Sequence, residues 1–484
     1  MTLVAGVDSS TQATKVVVCD TGTGAVVAEG RAGHPDGTEC DPAAWWQAFT
    51  AATHGGLLDG VSAIGVAGQQ HGMVLLDEAG EVVRPALLWN DTRSAAAAED
   101  LVRERGGGQA WAEDVGVVPL AAITVAKLRW VAEHEPEHAS RAAAVVLPHD
   151  WVSMRLRDGG GTRAGRTAGS AGPAGPAPSE PVTDRGDASG TGYWSAATGT
   201  YREDLLETAF GRALDVPRVA KPAEVVGQTP QGVLVSAGTG DHMGAGLALG
   251  LSPGDVVVSL GTSGTAFAVH DEPAADASGE VAGFADATGR YLPLVCTLNA
   301  ARVLAATATM LGTDLAGLDR LALSAEPGAD GLVLLPYLDG ERTPNLPDAA
   351  GALLGMRRDS MTPQNLARAA VEGMLCGLAD GVGSLRGQGV EVRRVLLVGG
   401  GSNSAAVRRI APSVLGAPVA VPEPGEYVAR GAARQAAWAL SGSTEPPGWP
   451  VALAETEAGP RRDDVGGTHV REAYAQARTR VYGV

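Results

Sequence analysis

The chain has 484 residues, is 45% hydrophobic and carries a formal net charge of −18 at pH 7. That length predicts more than one domain, with apolar content enough for a core in each. The acidic balance excludes binding to nucleic acid, or to an anionic membrane, along any broad face, and leaves room for a small anion in a local pocket.

Cys19, Cys40, Cys296 and Cys376 stand far apart, without the CxxC spacing of a metal or redox site. A reducing cytoplasm is the expected location. The stretch Met1–Gly6 has no basic region and no apolar run reaches membrane-spanning length, so neither a targeting signal nor a membrane span is expected. Lys15, Lys127 and Lys221 all follow a residue other than glycine, which excludes the GxxxxGK[ST] phosphate loop.

In chain order, LVAGVDSSTQATKVVVCD from Leu3 is two apolar arms joined by a turn of small hydroxyl residues, the pattern of a β-hairpin. A helix is expected around Trp45 and Trp46, and VSAIGVAGQQHGMVLLD reads as a strand. Gln69, Gln70 and His71 together inside an apolar run call for a use, because a buried strand does not collect polar groups without partners. RPALLWNDTRS reads as a strand that ends at a polar cluster beside Trp89. An aromatic next to polar groups suits a sugar, whose C–H faces stack while its hydroxyls bond.

HEPEH, from His134 to His138, has the letters of a zinc motif, but Pro136 breaks the continuous helix that the motif needs. Residues 159–181 are nearly all Gly, Ala, Pro, Ser, Thr and Arg, and are expected to be a flexible surface loop. VLVSAGTGDHMGAGLALGL is a strand running into a small-residue turn and a helix. It places Asp241 and His242 at a strand's carboxyl end, where ligands bind in α/β sheets.

GDVVVSLGTSGTAFAVHD, from Gly254, repeats the opening hairpin design. LVLLPYLDGERTPNL follows as a strand and a charged turn, then an amphipathic helix over Gln364–Leu385. VRRVLLVGGGSNSAAVRRI is strand, glycines, helix, an arrangement that lets backbone approach a nucleotide. Its GxGxxS is one letter short of a dinucleotide fingerprint, with Glu423 near the distance of a ribose-binding acid.

Two such hairpins opening two halves of the chain indicate an internal duplication. With their tips facing across a cleft, the turn N–H groups and hydroxyls would cradle phosphates, and Asp8 would stand where a nucleotide's Mg²⁺ needs a carboxylate.

In order and spacing, VDSSTQATK, GQQHG, LLWNDTRS, TDRGDASGTG, GTGDHMGAG, SLGTSGT, LPYLDGERTPNLP and LLVGGGSNS resemble the FGGY carbohydrate kinases over nearly the whole chain. The resemblance implies an α/β fold of two ribonuclease-H-like domains of the actin, Hsp70 and hexokinase superfamily. The expected domains are residues 1–250, for sugar and the first phosphate hairpin, and 251–484, for nucleotide, with the active site in the cleft between them. It implies ATP and Mg²⁺, a small ketose, phosphorylation at O5 of D-xylulose, and a homodimer. Ribulose, glycerol or gluconate as acceptor, and a sugar sensor without activity, stay open as alternatives.

Carried over by position, Asp241 matches the catalytic base and Asp8 the metal-associated aspartate. Thr11, Lys15, Gly261 and Thr262 match phosphate contacts, and Gly400, Gly401 and Ser404 the adenosine site. Gln70 and His71 match the sugar pair, with Trp89 beside them. The chain departs from the pattern where His242 replaces a common Asn that contacts sugar, and where Gln70 replaces a common Met.

Overall fold

The computed structural model describes residues 1–160, 179–457 and 465–484. Most of the low-complexity stretch expected at 159–181 therefore lies outside the described residues. Two seven-stranded sheets organise the chain. In the first, strands Leu3–Ser9 and Ala13–Asp20 form the opening hairpin, and Val26–Gly33 extends it antiparallel. Val61–Gly68 lies parallel on the other side of Leu3–Ser9, followed by Leu234–Ser236.

The second sheet repeats this plan. Asp255–Leu260 and Gly264–Ala268 form the hairpin, Tyr291–Thr297 extends it antiparallel, and Arg394–Val398 and Val419–Pro422 follow parallel on the far side. The central strands are apolar at nearly every position because both faces of each sheet are covered: Val4, Ala5, Val7, Val256, Val257 and Val258 are fully buried. Both halves thus carry three antiparallel and two parallel strands built on the duplicated hairpin.

The two halves are interlocked. Helix Tyr427–Ser441 follows the second sheet in sequence, yet Ala429, Ala433, Ala436 and Ala437 pack against Val4, Val17 and Ala63 of the first. Its small residues allow this close approach: a Cβ on Gly6 would stand 1.9 Å from the Ala429 carbonyl oxygen. The same helix crosses helix Asp241–Leu249, with Gly431 set against Gly244.

Several expectations change in detail. GQQHG is not inside a strand: the strand ends at Gly68, and His71 turns the chain with φ +66° before Val74–Leu76 resumes. The expected strand before Trp89 shrinks to Ala86–Leu87. Helix Pro363–Gly387 is mostly buried rather than amphipathic, since it crosses the core of the second half. At HEPEH the break expected from Pro136 is present: one helix ends at His134, Glu135 has φ −128° and ψ 61°, and the next helix starts at Pro136.

Candidate active site

The end of strand Leu3–Ser9 delivers Asp8 to the mouth of the first hairpin, 1% exposed. Burial pushes its carboxyl up to about 6, against the pull of a hydrogen bond from the Ser10 hydroxyl and of the Lys15 ammonium at 3.6 Å. Lys15 also pairs with Glu426 at 2.7 Å, just before helix Tyr427–Ser441. At the tip, the Thr11 hydroxyl accepts a hydrogen bond from the Trp89 indole at 2.7 Å. Trp89 is 43% exposed, so the hairpin tip carries an aromatic ring open to solvent.

Asp241 opens helix Asp241–Leu249 from its first turn, with Gly240 as the capping residue, and its Oδ1 accepts from the His242 N–H at 2.8 Å. Strand Thr239–Gly240 pairs with Ala67–Gly68, which sets Asp241 beside the Gln69–His71 turn. Burial opposes ionisation of Asp241, but the His242 ring nitrogen Nδ1, 2.8 Å away, outweighs it and holds the carboxyl below its ordinary value. His242 is raised in turn: burial acts against the cation and Asp241 prevails.

His71 Nδ1 lies 2.7 Å from the Gly190 carbonyl oxygen. Burial, with the charges of Lys127 and Arg342, lowers its pKa to about 3, so the ring is neutral, donates through Nδ1 and offers Nε2 as an acceptor. A Cβ on Gly240 would fall 2.9 Å from Gln70 Cγ, and one on Gly190 2.7 Å from the His71 ring, which shows how closely these pieces converge. Ser9 Oγ, Gln69 Nε2 and Gln70 Nε2 are buried and have no hydrogen-bond partner among the described residues. Orphaned groups of this kind cost about 1–3 kcal/mol each, which a polyhydroxylated ligand would offset.

In the second half, the hairpin tip presents Gly261, half-buried, and Thr262, exposed. Gly400 opens a short 3₁₀ turn, Gly400–Asn403, with open space around it. Gly401 instead lets the turn pack on the hairpin, since a Cβ there would meet Leu260 at 2.9 Å. The Ser404 hydroxyl caps helix Ala405–Leu415 by accepting from the Val407 N–H at 3.1 Å and donates to Asp319. The 3₁₀ turn separates the glycines from the helix, unlike a dinucleotide fingerprint, in which the helix follows directly.

One cluster escaped the sequence reading. His149, fully buried, is hydrogen-bonded to Asp187 at 2.6 Å through Nδ1, its Nε2 lies 3.2 Å from Asp150 without a hydrogen bond, and Asp184 accepts from Thr239 at 3.0 Å. Burial opposes the imidazolium, and the surrounding carboxylates outweigh it and raise His149. The cluster floors both the His71 turn and the Asp241 strand: Gly68 and Gly238 abut the His149 side chain. TDRGDASGTG was the visible trace of it, without an indication that His149 was its partner.

The sequence pattern of the FGGY family of carbohydrate kinases matches in two parts, its N-terminal domain over residues 3–245 and its C-terminal domain over residues 256–440. A xylulose kinase of Streptomyces coelicolor is 46% identical, with 91% of this chain and 88% of that protein covered. A xylulose kinase of Streptomyces rubiginosus is 45% identical, with 95% and 92% covered. The crystal structure of a xylulose kinase from Bifidobacterium adolescentis superposes with a TM-score of 0.89 over 99% of both chains at 44% identity.

Proposed function

The chain belongs to the FGGY family of carbohydrate kinases, and we propose that it transfers the γ-phosphoryl group of ATP to O5 of D-xylulose. The observation that carries this reading is the placement of Asp241, its carboxyl held below the ordinary value, beside buried Gln70 and half-buried His71. The substrate follows the Streptomyces relatives, whose likeness covers 91% and 95% of this chain.

In this reading Gln70 donates to a ketose hydroxyl and His71 Nε2 accepts from another, while the Trp89 face covers the carbon chain. Asp241 takes the proton of the attacking hydroxyl, a contribution on the order of 10² to 10⁴ in rate. Thr11 and Lys15 on one hairpin, Gly261 and Thr262 on the other, hold the phosphate oxygens, and Gly400 leaves room for adenosine.

Asp8 fits Mg²⁺ that is held chiefly by nucleotide phosphates and water, because no cluster of three or more ligating side chains exists among the described residues to form a protein cage. When bound there, the ion would neutralise phosphate charge. Behind burial, the Asp241 charge also disfavours ionisation of Asp8.

The test is ADP release measured with D-xylulose, D-ribulose, L-ribulose, glycerol and gluconate. D-Xylulose should give the highest kcat/KM, and Asp241→Asn should lose at least about 100-fold in kcat with ATP affinity kept. A higher kcat/KM for another acceptor reassigns the substrate, and retention of more than about a tenth of kcat removes Asp241 as base.

A further inference from the structure

LPYLDGERTPNLP carries no role in the scheme above, yet its central arginine occupies a defined place. Glu341 is 3% exposed, and its carboxylate accepts from the Leu298 N–H at 2.6 Å, the Arg342 N–H at 2.7 Å and Asn299 Nδ2 at 2.9 Å. Asn299 also accepts from the Leu338 N–H and donates to the Gly340 carbonyl. Thr343 donates to the Cys296 carbonyl at 2.9 Å. Both neighbours of Arg342 are therefore fastened to residues 296–299.

That segment is the wall of the second phosphate hairpin. Cys296 pairs with Thr265 and Thr297 with Gly264, and the Ala301 N–H donates to the Gly261 carbonyl at 2.9 Å. Arg342 is thus anchored against the turn expected to hold phosphate.

The charge of Arg342 is also felt by side chains around it. Its charge lowers the pKa of His71, behind burial and Lys127, and lowers that of Cys296, against burial. Asp241 pushes the same two side chains the opposite way. Arg342 and Asp241 thus act in opposite senses on the same two side chains. The Arg342 guanidinium, half-buried, has no hydrogen-bond or ion-pair partner among the described residues, whereas nearby Arg302 is paired with Asp339. A guanidinium without a counterion, on backbone anchored against the second hairpin, is suited to planar bidentate recognition of phosphoryl oxygens.

We propose that Arg342, supplied by the second half of the chain, binds the non-bridging oxygens of the phosphoryl group in transit and of the sugar phosphate product. The proposal rests on the kinase reading above. In the step, the bond from the acceptor oxygen to phosphorus forms as the bond from phosphorus to the β,γ-bridging oxygen breaks. ADP leaves with that electron pair, and the hydroxyl proton goes to Asp241. Arg342 exchanges no proton; it meets charge on the equatorial oxygens, an interaction strongest in the transition state.

The experiment compares Arg342→Gln and Arg342→Lys with the parent enzyme in steady-state kinetics, and titrates each with D-xylulose and with D-xylulose 5-phosphate. Arg342→Gln should lose at least about 100-fold in kcat, as for removal of a preorganised donor, with both KM values within about threefold. Affinity for the sugar phosphate should drop about tenfold or more while that for the free sugar holds, and Arg342→Lys should recover part of both losses. A raised KM for the sugar with kcat unchanged would make Arg342 a sugar ligand and overturn the proposal, as would unchanged product affinity. If Arg342→Gln fails to fold, the kcat and product affinity of Arg342→Lys decide. A parent enzyme that phosphorylates a different acceptor refutes the xylulose reading alone, because the same comparisons then run on that acceptor and its phosphate.

Discussion

The His71 ring is fixed by the Gly190 carbonyl oxygen, 2.7 Å from Nδ1, across 119 positions of sequence. With the ring neutral and Nδ1 engaged, Nε2 can only accept, so it selects a hydroxyl donor from the ligand. His71→Ala should raise the ketose KM by roughly 5- to 100-fold, the equivalent of about 1–3 kcal/mol, and leave the ATP KM nearly unchanged. Gly190→Ala should copy this defect with His71 intact, because the new Cβ would press on the ring at 2.7 Å. Equal changes in both KM values would make the pair a purely structural contact.

Asp8 sets a pH window. Its folded-state pKa, about 6, lies above the ordinary 3.8, so its burial costs no stability below about pH 4 and costs progressively more as pH rises through 6. Asp8→Asn should therefore melt higher than the parent at pH 8, by an amount worth roughly 1–3 kcal/mol, with the gap closing near pH 4. Binding runs the other way. The parent's KM for Mg-ATP should rise as pH falls through 6 and Asp8 takes a proton, while the Asn variant binds weakly at every pH. Melting curves and kinetics at four or five pH values check both signs.

The hairpins and their repetition were legible in the sequence because they are local: alternation, a turn and a second apolar arm lie within twenty residues. Asp241 was legible for the same reason, at the end of a short strand. What stayed hidden depends on distant partners. Nothing near GQQHG reveals that His71 is held by Gly190, or that a left-handed backbone at His71 takes the polar residues out of the strand. The alanine-rich run GAARQAAWAL looks like any helix, and only the first sheet's Gly6 and Gly65 show why it must present small residues. The buried His149 cluster joins residues on separate elements whose spacing follows no short motif.

His242 helps hold the Asp241 carboxyl below its ordinary value, against burial. Its Nδ1 is 2.8 Å from the carboxylate, and its ring meets Phe267 edge-on at 5.5 Å, which orients it. In His242→Asn the opposing cation disappears while burial remains, so the Asp241 pKa should rise. The acid limb of kcat should move to higher pH in the variant, with activity above the limb reduced much less. An unmoved limb would show that His242 has no electrostatic hold on the base.

The crossing of Gly244 and Gly431 joins the helix that begins at Asp241 to the helix that ties the second half onto the first sheet. A Cβ on Gly431 would lie 1.8 Å from the Gly244 carbonyl oxygen and 2.5 Å from its carbon. Both are backbone atoms, so no side chain can swing away and the helices must separate. Gly431→Ala should destabilise by about 1–3 kcal/mol, the usual cost of overpacking, although alanine alone favours a helix by nearly 1 kcal/mol. Asp241 sits one turn before Gly244, and a shift of about 1 Å in a catalytic group can cost on the order of 100-fold in rate. The variant should lose kcat more than affinity for either substrate. Gly383→Ala is the matched control: that glycine lies in helix Pro363–Gly387, is exposed, and has open space where its Cβ would go. It should gain up to about 1 kcal/mol and leave kinetics untouched. If Gly431→Ala matches this control in melting temperature and kcat, the crossing does not hold the base in place, and the tie between the two halves must lie elsewhere.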